Sequence, residues 1–318
     1  MTNISSIEYV LGKKKHLSSL KKDEFSHRTL INLASKGVLF FHESNKSIFD
    51  MAYETSLKTI TKYGVNPNEI DTLLFLTNSH QSKEFNYENS DDNTYFFGHE
   101  LIKKLYLKNA FVQGLFMQGC VDFISGLIYA KSLIDSNISR QVLLVISDKY
   151  TCSGNNRLSI RNNMVSGIHS DGASSCIISN NLYKDSIRIN KGKIIHNIYS
   201  KDIFVKKYLE KIFYLVLALN KIKPKDIEYC FSNNYNHFDR LNIIETLNLK
   251  KDTIANENIT EIGHCLGSDI LINISLYLKK HGNIPLNSFL YGTSGVSYGG
   301  LILNKEPSID DIIIASLS

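Results

Sequence analysis

A chain of 318 residues with 43% apolar side chains is too apolar to stay disordered and long enough for two cores or one large α/β unit. Its 36 basic and 31 acidic residues leave a charge of +5. The lysines fall in short clusters (Lys13–Lys15, Lys21–Lys22, Lys206–Lys207), not in a dense basic face with interleaved aromatics, which argues against a nucleic-acid binder. There is no apolar run of membrane-spanning length, no basic-then-apolar leader, and no CxxC pair among the five scattered cysteines. The expectation is a cytoplasmic protein with no membrane span, no disulfide framework and no metal site.

In chain order, the segment from Phe49 to Asn78 reads as an amphipathic helix, a turn at Pro67, an acidic-Ile-acidic step (Glu69-Ile70-Asp71) and a short apolar strand. Ser82–Thr94 is polar and acidic, a surface loop. The apolar run from Phe111 ends at Met117. Gly119 turns the chain, and Cys120 opens a helix with Val121, Ile124, Leu127, Ile128 and Leu133 on its apolar positions; the strand Gln141–Ser147 follows. Ser153–Ile168 shows no periodicity and reads as a loop bordering the site or a dimer contact, before the strand Ala173–Ser179. Tyr208 to Asn234 then repeats the helix, the proline turn (Pro224), the acidic-Ile-acidic step (Asp226-Ile227-Glu228) and the strand. Gly263-His264 opens a helix over Ile270–Lys280 that leads to the strand Ser288–Tyr291, as Gly119-Cys120 did. Matching units in matching order, about half a chain apart, imply a duplicated α/β fold with halves at residues 1–182 and 183–318. On this alignment Cys120 and His264 occupy equivalent positions and face each other across one site.

A thiol at the first turn of a helix sits beside unpaired N–H groups and a positive dipole end, suited to a nucleophile that takes an acyl group. A buried structural cysteine is the alternative. Such a nucleophile needs a base and an oxyanion site. His264, with Asp269 five residues later, offers an imidazole and an orienting carboxylate; the alternative is a turn histidine and a helix N-cap. Asn233 and Asn236, in a polar cluster with His237 at the end of the repeated strand, offer non-titrating donors or simply a polar loop. Gly295 and Gly299, in Tyr291–Gly300, allow close backbone approach to an oxyanion or form a glycine-rich hairpin. That segment matches neither a P-loop nor GxGxxG.

These pieces resemble the ketoacyl-acyl carrier protein synthase III group of the thiolase fold, essentially from end to end. The resemblance is carried by Gly119-Cys120 with its small-residue helix, by Ser170-Asp171-Gly172-Ala173-Ser174-Ser175, by Pro224-Lys225-Asp226-Ile227-Glu228 before the second strand, and by Gly299-Gly300-Leu301 in the last. It implies two pseudo-symmetric halves in five layers (α-β-α-β-α). The departures are specific. Asn233 stands where the group's His-Gln-Ala-Asn motif has its histidine, and His264 stands where Gly-Asn-Thr-Ser has its asparagine. The site therefore looks like Cys120-His264-Asp269, a pattern of a divergent branch that includes acyltransferases of secondary metabolism. The segment Gly37–Glu43 lacks the group's arginine, and the chain has no Trp, which shifts the expected donor from coenzyme A towards a carrier-protein thioester.

A base beside an acyl-thioester suits deprotonation of an alcohol or amine, so acyl transfer to an O or N nucleophile of a small-molecule acceptor is the leading expectation. The alternatives are decarboxylative carbon–carbon condensation, a non-catalytic partner subunit of a heteromer, and a cysteine hydrolase. No cofactor is expected beyond the thioester substrate, on acyl carrier protein or coenzyme A. A homodimer through the sheet edge that follows the elbow helix is implied by the resemblance.

Overall fold

Strands and helices alternate along the chain: β1 (Asn3–Leu11), β2 (Lys13–His16), α1 (His27–Ser35), β3 (Phe40–Glu43), α2 (Ile48–Lys62), β4 (Thr72–Leu76), α3 (Phe97–Leu105), β5 (Phe111–Leu115), α4 (Asp122–Asp135), β6 (Gln141–Asp148), β7 (Leu158–Arg161), β8 (Met164–Ile168) and β9 (Gly172–Ser179). They continue with β10 (Ile187–His196), α5 (Lys206–Asn220), β11 (Tyr229–Ser232), α6 (His237–Leu247), α7 (Glu257–Ile262), α8 (Asp269–His281), β12 (Asn287–Ser294) and β13 (Ser297–Lys305). This computed structural model describes residues 1–20, 26–79, 97–116, 118–150, 157–161, 164–183, 185–197, 206–254 and 257–305. The expected acidic loop at Ser82–Thr94 lies outside them.

The main sheet has the order β11-β12-β13-β10-β1-β9-β6-β4-β5. Its two wings repeat one design. β4 pairs parallel with β6, β6 antiparallel with β9, and β9 antiparallel with β1. In the same way β11 pairs parallel with β12, β12 antiparallel with β13, and β13 antiparallel with β10. The wings are joined where β1 meets β10, at Asn3↔Arg188 and Ile4↔Ile187.

The sequence explains the layering. In α2 the buried residues Ile48, Met51, Ala52, Thr55, Ser56, Thr59 and Ile60 fall on one helical stripe, and the Ser47 side chain caps the first turn by accepting from Asp50 N–H. That stripe lies on β1, β6 and β9, and α5 covers β10 and β13 in the same manner. α4 and α8 are buried on most sides and sit between the wings, so α4 touches β6 and β9 of one and β10 and β13 of the other. One core cluster runs through both wings and both helices; each fully buried Ile, Leu or Phe there contributes roughly 1.5–3 kcal/mol. The result is the expected five-layer α-β-α-β-α stack.

Three expectations change. Ser153–Ile168 is not a structureless loop: its described residues include the β7–β8 hairpin, whose strands are too short to show a period. The strand after the elbow helix, β6, is interior, between β4 and β9; among the described residues the sheet ends on β11 and on β5, the strand that precedes the elbow. The equivalence of Cys120 and His264 also shifts. The turns leading into α4 and α8 are short 3-10 helices, Gly119–Val121 and Leu266–Ser268, each opening on a left-handed residue, Gly119 (φ +58°) and Leu266 (φ +52°). Cys120 therefore corresponds to Gly267, and Asp269 to Asp122.

Candidate active site

The thiol is placed by backbone geometry. Gly119 takes a conformation that side chains avoid, and a Cβ there would lie 1.9 Å from Ser294 Oγ. The turn sets Cys120 at the mouth of α4, with only 5% of its surface exposed. Ser125, one turn into α4, donates to the Gln118 side chain and ties the elbow to its helix.

His264 comes from the other half, 144 residues away, and its Nε2 lies 3.1 Å from Cys120 Sγ. Its Nδ1 donates to Asp269 Oδ2 at 2.5 Å. Asp269 takes two further donors, Asn234 N–H at 2.7 Å and Cys265 N–H at 2.6 Å. Its carboxylate is thus turned away from an N-cap role: it is the first residue of α8, and the Ser268 before it makes no side-chain cap. Burial alone would lower the pKa of His264. The charges of Cys120 and Asp269, with the hydrogen bonds to both, outweigh burial and push it up to about 10. Sulfur, imidazole and carboxylate thus stand in line, an arrangement that sets a cation beside a thiolate nucleophile.

The backbone of His264 is fixed as firmly as its ring. Its N–H donates to Ile168 O at 3.0 Å, and its C=O accepts from Ser170 N–H at 2.8 Å, a bridge between His264 and His169. The rings of Tyr150, His169, His264 and Tyr235 form a ladder. Tyr150 and His169 stack at 4.4 Å and 5°, His169 and His264 centroids are 5.2 Å apart, and Tyr235 lies 4.3 Å from His264. Tyr235 is anchored by its hydroxyl, which donates to Thr293 O at 2.5 Å. Beside the ladder, the buried Arg157 guanidinium grips Asp171 through two nitrogens at 3.1 and 3.2 Å. His169, Tyr235 and Arg157 carry no signal in the sequence that marks them as site residues.

The remaining expected residues have other duties. Asn233 donates one Nδ2 hydrogen to Cys120 O at 3.3 Å and accepts Thr293 N–H at 3.2 Å, so its amide braces the nucleophile's backbone. Asn236 caps α6, accepting Asp239 N–H at 3.0 Å and donating to Ser166 O at 2.6 Å. His237 packs under Gly37 and meets Thr260 Oγ1 at 3.2 Å. Gly295 lies in the exposed β12–β13 turn with open space around it. Gly299 sits inside the ladder between Ile194 and Gly292, where a Cβ would be 2.6 Å from Val121 Cγ1, so it serves helix packing. The close approach to the nucleophile is made by Gly292, whose Cβ position is 3.0 Å from Cys120 O; the run of glycines around it hid which one mattered.

Beneath the elbow lie two more buried carboxyl groups. Asp148, at the end of β6, accepts from Thr77 Oγ1, from Asn78 N–H and side-chain amide, and from Gly267 N–H. Asp122 is fully buried, and only the backbone N–H of Gln118 reaches towards its carboxyl, outside close hydrogen-bond geometry. Burial first, then the charge of Asp148, pushes its carboxyl up to about 8, with a backbone hydrogen bond from Gln118 opposing. Among the described residues no group of three or more His, Cys, Asp or Glu side chains is placed to hold a metal ion, and no helix is long and apolar enough to cross a membrane.

No protein-family model matches the sequence, and no curated protein matches it. Solved structures match its fold closely. The acyltransferase ChlB3 superposes with a TM-score of 0.79 at 13% identity, over 96% of this chain and 97% of that one. The 3-oxoacyl-[acyl-carrier-protein] synthase III of Aquifex aeolicus gives 0.77 at 17% identity, over 96% and 100%. Acetamide-bound OleA of Xanthomonas campestris gives 0.76 at 12% identity, over 95% and 98%. The chain has the thiolase-like fold of these enzymes across nearly its whole length.

Proposed function

We propose that this protein is a ketoacyl synthase III-like acyltransferase, in which Cys120 accepts an acyl group from a thioester and passes it to an oxygen or nitrogen nucleophile. The observation that carries this reading is the Cys120–His264–Asp269 line, with sulfur, imidazole and carboxylate joined at 3.1 and 2.5 Å.

The proton accounting follows from the causes of the His264 shift. The Cys120 thiolate attacks the acyl carbonyl, the donor's C–S bond breaks, and the leaving thiolate takes the proton of the His264 imidazolium. The acyl-thioester on Cys120 carries no charge, so one force that held the proton on His264 is gone and burial favours the neutral ring. Neutral His264, oriented by Asp269, then removes the acceptor's O–H or N–H proton as the acceptor attacks. Cys120 leaves as a thiolate, and the resting pair returns. A carrier-protein thioester is the donor we favour, since the chain has neither a Trp nor an Arg in Gly37–Glu43. We assign the dimer contact to the open edge at β5, where Phe111 and Phe116 are exposed.

The test is the intact mass of the protein after incubation with acyl-thioesters, wild type beside Cys120→Ala, followed by acceptor screening. An adduct on wild type alone, discharged as an ester or amide, supports acyl transfer. A β-keto product from a malonyl carrier moves the reading to condensation, discharge to free acid alone moves it to hydrolysis, and no adduct from any donor moves it to a partner subunit.

A further inference from the structure

The equivalence of α4 and α8 singles out a residue that only one half needs. Asp122 and Asp269 open the two helices, and four residues on, on the same helical face, stand Gly126 and Asn273. Gly126 is packed against Leu76 and Leu144, where a Cβ would lie 2.9 and 3.0 Å from their methyl groups. The fold therefore accepts a residue with no side chain at this position. In α8, whose aspartate holds an imidazole, the same position carries an amide that is only 5% exposed.

That amide uses every hydrogen-bonding site it has. Its Nδ2 donates to Ser232 O and to Asn234 Oδ1, both at 2.9 Å. Its Oδ1 accepts from Asn258 Nδ2 at 2.7 Å and from Asn234 Nδ2 at 3.3 Å. Ser232 O can only accept, so it fixes which end of the Asn273 amide is the nitrogen. Two donors and two acceptor sites are the full complement of a side-chain amide. With all four engaged away from water, a shift of any neighbour breaks a bond that the interior does not replace.

The segments joined in this way are those that carry the site. Ser232 ends β11, and the next two residues are Asn233, which braces Cys120 O, and Asn234, whose N–H donates to Asp269 at 2.7 Å. Asn258 lies on α7, the helix that runs into Gly263-His264. Asn273 itself lies one turn beyond Asp269 on α8.

We propose that Asn273 is a positioning residue for the Cys120–His264–Asp269 line: paired with Asn234, it fixes α7, α8 and the end of β11 at the spacing that lets Asp269 hold His264 Nδ1 and leaves Nε2 facing the thiol. The proposal rests on the reading of Cys120 as a nucleophile served by His264, and not on which acceptor receives the acyl group.

Three variants test it. Asn273→Leu keeps the size of the side chain and removes all four bonds. Asn234→Ala keeps the backbone N–H to Asp269 and removes only the amide pair, a milder change should the leucine variant not fold. Ile274→Val, the next residue along α8 and packed in the core between the wings, is the control for lost stability alone. Melting curves show which variants are folded, and two readouts need no thioester. One is the low-field proton resonance of His264 Nδ1–H in protein labelled with ¹⁵N-histidine, identified by its loss in His264→Ala. The other is the rate of Cys120 alkylation by iodoacetamide at pH 7, identified by its loss in Cys120→Ala. In folded Asn273→Leu, and to a smaller extent in Asn234→Ala, the resonance moves upfield or is lost to exchange with water, and alkylation slows several-fold; Ile274→Val leaves both as in wild type. Folded Asn273→Leu or Asn234→Ala protein that melts lower yet keeps the wild-type resonance and alkylation rate shows a merely structural amide and overturns the proposal. Alkylation unchanged in His264→Ala is a different failure: it removes the pairing of Cys120 with His264, and the positioning role with it.

Discussion

Asp122 and Asp269 hold equivalent positions at the start of α4 and α8, yet Asp269 takes three close hydrogen bonds while only the Gln118 backbone reaches towards Asp122. The difference lies in what precedes them. Asp269 has an imidazole five residues upstream; at the same spacing before Asp122 stands Met117, which cannot donate a hydrogen bond. The duplicated carboxylate serves one half and is left over in the other.

Asp122→Asn stabilises the protein, and the gain grows with pH. The folded carboxyl titrates near 8 and the unfolded one near its ordinary 3.8, so between those values the folded state holds a proton that the unfolded state has released. Stability from this group therefore falls as pH rises from about 4 to about 8. An amide is free of that slope. Urea unfolding at pH 5 and pH 8 reads the result: the variant is favoured by a few kcal/mol more at pH 8. Equal gains at both values contradict the raised pKa.

Asp269→Asn is damaging in two ways. An amide keeps one acceptor oxygen and puts a donor at the other, so either Cys265 N–H or both Asn234 N–H and His264 Nδ1 face a donor inside the core. Loss of one partner of a buried charged pair costs about 3–5 kcal/mol. Any folded fraction has its imidazole held in the wrong tautomer, and the acyl transfer proposed above falls by about 10²–10⁴. Thermal melts separate the first effect from the second, which is measured on folded protein only.

His264→Ala lowers the rate of Cys120 alkylation at pH 7 by about tenfold to a hundredfold, because the thiol loses its cationic neighbour. The same pair contributes to stability with a defined sign. His264 is raised from 6.5 to about 10 on folding, so its contribution is complete below pH 6.5 and is lost as pH rises towards 10. Wild type loses more stability than the variant over that window in parallel urea titrations.

Gly292→Ala and Gly299→Ala disturb the elbow from behind. The first puts a methyl group 3.0 Å from Cys120 O, the second 2.6 Å from Val121 Cγ1. Each costs about 1–3 kcal/mol by overpacking, read by thermal unfolding, and each slows acylation by shifting Cys120. Gly295→Ala changes acylation little: its Cβ meets open space, and the cost is confined to the local strain of φ +55°.

Much of the architecture is legible in the sequence because the helix stripes, the two proline turns and the glycine before Cys120 are local signals. The pairing of Cys120 with His264 and Asp269 is legible for a similar reason, since each half carries its share in one short motif. The register between the halves is not. Leu266 adopts a backbone conformation that a sequence reader assigns to glycine, so Gly263-His264 looks like the match to Gly119-Cys120 and displaces the alignment by three residues. His169 is silent for a different reason. A histidine after two short strands has no period to mark it, and its neighbour His264 is brought to it only when the wings close. Asn233 and Asn236 show the limit of residue type as evidence: amides at a strand end satisfy backbone groups as readily as substrates.

The thiol and its imidazole lie on opposite sides of the chain's midpoint, and the bridge that holds His264 is made by residues of the first half. A ribosome therefore finishes the nucleophile long before it makes the group that activates it. Until the later wing has docked, Cys120 is an ordinary thiol without its charge partner. The reactivity of the thiol is therefore a property of the two wings meeting and not of either half alone.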